Sequence, residues 1–251
     1  MKLSEFYPLP DDLIRNEVSV LNYLRNDPYI KENHSEFAKH AEIYYGRSKN
    51  GLHQFEFFSY LDIWHAAMVG QKRSRRRQGI QKPNLRLILA ARIELSNARS
   101  YENITYCLSV CKKRGSKYSI LRKFHFDITV SAETDAERLQ QHPTSHLQYC
   151  GEMIPAMEKI GIRQAQLDQL YPWLSEPRIF FPPMSLALLV DLAFHEFPDS
   201  RSKKFRSSSE WRGIIRSQES LVLLPFFEKC VGVINKKSGS LRLLSEEFYV
   251  D

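Results

Sequence analysis

Four polar residues that could perform acid–base chemistry lie in two short alternating stretches, FHFDITV and HLQYC. His125 and Asp127 are two residues apart in the first stretch, and His146 and Gln148 are two apart in the second. Side chains two residues apart on a strand share a face, at about 7 Å along the backbone. If the two strands pair, all four side chains form one polar cluster on the face opposite the apolar positions.

These residue types suit phosphodiester chemistry that needs no metal. Histidine carries protons near neutral pH, an adjacent carboxylate can fix its tautomer, and a glutamine can position a phosphate or a water. We therefore interpret His125, Asp127, His146 and Gln148 as the candidate catalytic residues of a ribonuclease-like site without a cofactor. The alternative is the polar, solvent-exposed face of a sheet, where such residues serve only solubility.

A zinc module is a weaker interpretation of the same region. Cys107 and Cys111, followed by His142 and His146, superficially match its ligand pattern. On a strand, cysteines four residues apart are separated by about 13 Å. A zinc ion needs both sulfurs within about 2.3 Å of itself. Although the two cysteines could meet on a helix, we expect no metal site.

Basic residues are concentrated in one part of the chain. Residues 72–123 contain fifteen Lys and Arg but only two acidic residues, Glu94 and Glu102, a balance of +13 within a total of +7. Such a charge density attracts polyanions. The candidate nucleic-acid-binding residues are Lys72, Arg73, Arg75, Arg76, Arg77, Lys112, Lys113 and Arg114. The alternatives are an acidic protein partner and a solvated loop.

The elements that would position these residues indicate an α+β protein. Helical periodicity and terminal signals predict N-terminal helices at DDLIRNEVSVLNYL, at HSEFAKHAEIYYG and at FEFFSYLDIWHAAMVG. Alternation predicts a four-stranded antiparallel meander of LRLILAARIEL, ITYCLSVC, FHFDITV and HLQYC. Helical patterns return in MIPAMEKIGI, RQAQLDQLYPWL, SLALLVDLAFHEF and SSSEWRGIIRSQESLV, and a last hairpin is expected around KKSGS. We expect a single domain over 1–251, with a helical part at 1–71, the basic segment and sheet at 72–151, and a second helical part at 152–251.

One pattern in this region has a resemblance elsewhere. H-F-D…H-P-x-x-H-L-Q, followed by LSEPRIFFPPMSLALL, resembles uncharacterised bacterial proteins, some of them found in genome-defence or mobile-element neighbourhoods. The resemblance covers residues 122–197 and implies no assigned activity or catalytic residue.

Composition and missing motifs narrow the function classes. The longest apolar runs fall short of the roughly 20 residues that span a bilayer, and four cysteines at this length indicate reduced thiols. The common nucleotide-binding, zinc-protease and serine-hydrolase motifs are absent. These observations lead us to expect a cytoplasmic protein that binds nucleic acid, with ribonuclease-like chemistry at the histidine cluster and no membrane contact; the resemblance implies that it is bacterial and connected with genome defence. The alternative is a non-catalytic subunit of a multi-protein complex, whose basic segment binds an acidic partner.

Overall fold

The computed structural model describes residues 7–47, 51, 53–63, 85–97, 100–114, 117–129, 142–143, 145–149, 179–197, 200–236 and 249–250. Seven α-helices lie in these ranges: α1 (Pro10–Asn26), α2 (Pro28–Asn33), α3 (Ser35–His40), α4 (Leu186–Glu196), α5 (Ser200–Arg206), α6 (Ser209–Gln218) and α7 (Leu224–Lys236). A π-helical turn, Glu219–Leu223, joins α6 to α7. None of the described helices is long and apolar enough to cross a bilayer.

Nine strands lie in the same ranges: β1 (Glu42–Arg47), β2 (His53–Ile63), β3 (Leu85–Asn97), β4 (Ser100–Arg114), β5 (Lys117–Thr129), β6 (His142–Pro143), β7 (Ser145–Tyr149), β8 (Ile179–Phe180) and β9 (Tyr249–Val250). Seven of them form one antiparallel sheet in the order β1-β2-β3-β4-β5-β7-β8. The two short strands β6 and β9 pair separately.

The α+β class and the antiparallel meander are confirmed, but the predicted sheet of four strands was too small. The predicted strands correspond to β3, β4, β5 and β7, in the expected order. The chain adds β1 and β2 at one edge and β8 at the other. The two parts predicted to be helical are therefore not purely helical, because β1 and β2 lie within 1–71 and β8 and β9 lie within 152–251.

The helix predicted at FEFFSYLDIWHAAMVG is wrong where it can be compared, because His53–Ile63 is strand β2. Aromatic residues lie at alternate positions on both faces of this strand. Phe55 and Phe57 pack against the helices, whereas Phe58 and Tyr60 are buried on the other face. A strand buried on both faces loses the alternation of apolar and polar residues that identifies a half-exposed strand.

The second predicted helix, HSEFAKHAEIYYG, is divided between two elements. Its first half forms α3, which ends at His40, and its second half forms the edge strand β1. The helices predicted at MIPAMEKIGI and RQAQLDQLYPWL lie outside the described residues. The expected C-terminal hairpin is contradicted in its first part, since α7 continues to Lys236.

One face of the sheet packs against the helices and forms the main core. The residues on this face come from alternate positions of β2 to β5: Phe55, Phe57, Leu61, Leu87, Leu89, Ile93, Ile104, Tyr106, Leu108, Phe126 and Ile128. Helix α1 contributes Leu13, Leu21 and Leu24, and α4 contributes Leu186, Leu189 and Val190. The period-two pattern of the sequence therefore marks the face that the helices cover.

Helix α1 is attached to the C-terminal helices by buried polar contacts. The carboxylate of Glu17 is fully buried and accepts hydrogen bonds from Tyr106 Oη at 2.7 Å and from the backbone N–H of Leu186 at 3.1 Å. Asn16 and Gln218 exchange two amide hydrogen bonds, of 2.9 and 2.8 Å. Burial raises the pKa of Glu17 to about 7, although both of its hydrogen bonds act in the opposite direction.

The second face of the sheet carries a smaller apolar cluster. Its members are Phe58, Tyr60, Ile88, Ala90, Cys107, Cys111 and Ile120. The side chains of Cys107 and Cys111 are free thiols, and burial raises the pKa of both, to about 11 and about 12. The face that the sequence predicted to be polar and solvent-exposed is therefore substantially buried.

Candidate functional site

The pairing of β5 with β7 brings the four candidate catalytic residues together. In this register His125 lies opposite Gln148, and Asp127 lies opposite His146. All four positions belong to the face of the sheet opposite the helices, since Phe126 between them packs into the main core. The predicted cluster therefore forms as a geometric unit.

The cluster is one end of a polar row that crosses five strands. The directly opposed positions are Glu56 on β2, Arg92 on β3, Thr105 on β4, Asp127 on β5 and His146 on β7. Arg92 donates from Nε to Glu56 Oε1 at 3.1 Å. Cross-strand neighbours of opposite charge stabilise a sheet when they are directly opposed.

Asp127 is held by two neighbours in this row. Thr105 donates its hydroxyl proton to Asp127 Oδ1 at 2.6 Å, and His146 Nε2 lies 3.8 Å from Asp127 Oδ2. A carboxylate in this position can orient an imidazole and stabilise its protonated form. At 3.8 Å the carboxylate is a close charged neighbour of His146 but lies beyond hydrogen-bond distance, and the hydrogen bond from Thr105 fixes its position.

Both histidines are more buried than the sequence suggested. His125 is 5% exposed and His146 is 3% exposed, whereas Asp127 and Gln148 are partly exposed. The interpretation of this face as a solvated sheet surface is therefore wrong for the two histidines. Substituting either one is expected to affect stability, and not activity alone.

His125 differs from its neighbours because its Nε2 atom is buried and has no hydrogen-bond partner among the described residues. Burial lowers the pKa of His125 to about 3, and the positive charges of Lys123, Arg92 and His146 act in the same direction. At neutral pH the imidazole is uncharged and has no extra proton to donate. Burial therefore argues against proton transfer by His125 at neutral pH, since it disfavours the charged imidazolium, and the catalytic assignment of this residue stays a prediction.

The predicted nucleic-acid-binding residues fall into two groups. Lys112 lies on β4 and is exposed. Lys113 and Arg114 follow it on the same strand, at backbone positions that pair with Tyr118 and Lys117. The other five, Lys72, Arg73, Arg75, Arg76 and Arg77, lie outside the described residues.

The topology places the connections of both basic stretches at one end of the sheet. Ile63 at the end of β2 pairs with Leu85 at the start of β3, and Leu85 pairs with Lys112 near the end of β4. The β2–β3 connection, which contains the arginine run, and the β4–β5 turn therefore leave the sheet at the same end. The β4–β5 pairing also continues two residues beyond Lys112, to Arg114↔Lys117.

Sequence reasoning missed Thr105, Arg92 and Glu56. Alternation in ITYCLSVC already places Thr105 on the face opposite the core, but only the register shows that it lies opposite Asp127.

Within the described ranges no group of three or more His, Cys, Asp or Glu side chains is arranged to hold a metal ion. Comparisons of the chain with protein-family models, curated proteins and solved structures gave no match.

Proposed function

We propose that the protein binds nucleic acid through the end of the sheet that carries the β2–β3 connection and the β4–β5 turn. The observation that supports this proposal is that the β2–β3 connection and the β4–β5 turn, whose sequences are both basic, leave the sheet at the same end. Ile63 and Leu85, which flank the connection whose sequence contains the arginine run, lie at this end of the sheet beside Lys112 of β4. No acidic residue occurs between Asn103 and Phe126, which leaves the hairpin uniformly basic.

A surface of this kind binds the phosphate backbone and not a base sequence. Lys and Arg that neutralise phosphates release condensed counterions, so affinity falls with salt. Backbone contacts fix the position of the protein without reading sequence. We therefore expect binding with little sequence preference and a strong dependence on ionic strength.

The test compares the triple variant Arg75→Ala/Arg76→Ala/Arg77→Ala with wild type. Fluorescence anisotropy with duplex and single-stranded probes would be measured across a salt series. Each lost duplex contact should reduce the slope of log K against log salt by about 0.9, and each lost single-strand contact by about 0.7.

A matched control removes the same charge from other surfaces. Lys31→Ala/Lys39→Ala/Arg47→Ala changes three exposed cations, of which Arg47 pairs with His53 at the opposite end of the sheet. This control should keep the wild-type slope. Equal losses in both triple variants would show that net charge alone, and not this surface, sets the affinity.

Phosphodiester chemistry at His146 is a further part of the proposal. The Asp127–His146 pair supports it, since histidine is the most frequent general base and a neighbouring carboxylate stabilises its protonated form. Burial of both histidines argues for the non-catalytic alternative, in which the basic surface holds an acidic partner and the polar row only stabilises the sheet. Wild-type protein that binds RNA without cleaving it, with or without divalent ions, would favour that alternative.

A further inference from the structure

A second basic feature lies between α5 and α6, outside the region that sequence analysis identified. It is a cavity of 440 Å³. Four cationic and two acidic side chains line it, which gives the lining a net formal charge of +2; they are Lys203, Arg206, Arg212, Arg216, Asp191 and Glu219. The cavity belongs to the helical layer, since α5 packs on α2, α4 and α6.

One side of the cavity is a rigid ion pair. Arg206 donates from Nε and Nη2 to the two oxygens of Asp191, at 2.8 Å each. Asp191 also accepts a 2.9 Å hydrogen bond from Nε1 of Trp211, whose side chain is fully buried. Three hydrogen bonds therefore hold Asp191 in place, and it fixes the direction of the Arg206 guanidinium.

The remaining cations of the lining are not neutralised by the described part of the chain. Lys203, Arg212 and Arg216 are exposed, and their side chains make no ion pair with a described residue. Arg212 and Arg216 are four apart on α6, where like charges are neighbours on the helix surface and repel each other. A bound anion would offset this repulsion.

We propose that this cavity binds a ligand through two or more neighbouring phosphate groups. Arginine presents planar donors that match phosphate oxygens, and lysine adds a mobile point charge. The cavity volume falls within the range of about 300–1,000 Å³ that is typical of small-ligand sites. The phosphates can belong to a free nucleotide or to consecutive residues of a nucleic-acid strand.

The experiment measures binding of inorganic pyrophosphate and of a short single-stranded RNA by calorimetry at low salt. The test variant is Arg212→Gln/Arg216→Gln, and Lys203→Gln is a second variant on the neighbouring helix. Arg15→Gln/Arg47→Gln is the matched control, because it removes two exposed arginines from α1 and β1. Thermal melting would establish that every variant is folded.

Wild type should bind pyrophosphate, and the double test variant should weaken that binding about tenfold or more, since each lost hydrogen bond between charged groups has about this effect. The control should bind as wild type does. Failure of wild type to bind pyrophosphate and RNA, or equal weakening in the test and control variants, would overturn the proposal. Binding of RNA but not of pyrophosphate would identify a strand as the source of the phosphates if the double test variant weakens it and the control does not. RNA binding that both variants leave unchanged, without pyrophosphate binding, would belong to the sheet end and would overturn the proposal.

This outcome is separable from the proposed function of the sheet end. The Arg75→Ala/Arg76→Ala/Arg77→Ala variant should keep its pyrophosphate affinity, because it leaves α5 and α6 unchanged. Loss of pyrophosphate binding in that variant would place the phosphate site at the arginine run instead and would refute its assignment to the cavity.

Discussion

The buried imidazole of His125 should make the protein unstable in acid. In the unfolded chain the imidazole takes up a proton near pH 6.5, whereas in the folded protein its pKa is lowered to about 3. The unfolded state therefore binds more protons below pH 6.5, and stability falls as the pH decreases from 6.5 towards 3. The loss is about 1.4 kcal/mol per pH unit, or about 2 kcal/mol between pH 6.5 and pH 5.

The substitution His125→Gln isolates this contribution. Glutamine is uncharged at every pH in the experiment, so the variant should lose about 2 kcal/mol less than wild type between pH 7 and pH 5. Urea unfolding at each pH gives the free energy of unfolding for both proteins. Altered packing in the variant changes its free energy of unfolding by the same amount at every pH. Only the difference between the two proteins in how steeply that free energy depends on pH tests the argument.

His53→Gln is the matched control, because His53 is exposed on β2. Its stability should follow the wild-type pH dependence. If His125→Gln also followed the wild-type dependence, the folded protein would protonate His125 near its ordinary pKa. Water would then reach the imidazole, and the argument from burial against proton transfer by His125 would be refuted.

Three further substitutions test polar groups that are buried or partly buried. The titration of Glu17 should lower the stability of the wild type by about 3 kcal/mol as the pH rises from 4.5 to 7, because burial raises the pKa of Glu17 to about 7 and the folded state holds its proton more tightly than the unfolded chain does. Glu17→Gln should abolish this loss, and an unchanged pH slope in urea unfolding would contradict the argument. His146→Ala should lower the free energy of unfolding by about 2 kcal/mol or more, through a cavity and the loss of the contact with Asp127, and a variant as stable as wild type would contradict its burial. Asp191→Asn should lower it by about 1–3 kcal/mol, since both bonds from Arg206 lose their charge, and an unchanged melting temperature would show that the ion pair contributes little.

The sequence predicted the strands whose two faces differ. In FHFDITV and ITYCLSVC, residues such as Phe126 and Tyr106 face the helices, and polar or small residues occupy the other face. The same alternation also predicted which candidate site residues share a face. The core residues and the candidate site residues are both predicted by this alternation, because a strand repeats its side-chain direction every two residues.

Burial on the second face could not be predicted from the same alternation. His125 and His146 occupy positions that a half-exposed sheet would present to solvent, but this face holds the apolar cluster of Phe58 and Tyr60. That cluster depends on β2, which the sequence favoured as a helix. The error in one element therefore led directly to the error in the expected exposure of the site.

The attachment of α1 to the C-terminal helices has a consequence for the order of folding during synthesis. Glu17 contacts Leu186, 169 positions later, and Asn16 contacts Gln218, 202 positions later. Strands β2 to β5 find their partners among their nearest neighbours in sequence and can pair as they leave the ribosome. The buried Glu17 carboxylate and the partly buried Asn16 amide can make these contacts only after most of the chain has been synthesised. We therefore expect a nascent chain that stalls before residue 186 to hold a paired sheet beneath an incomplete helical layer.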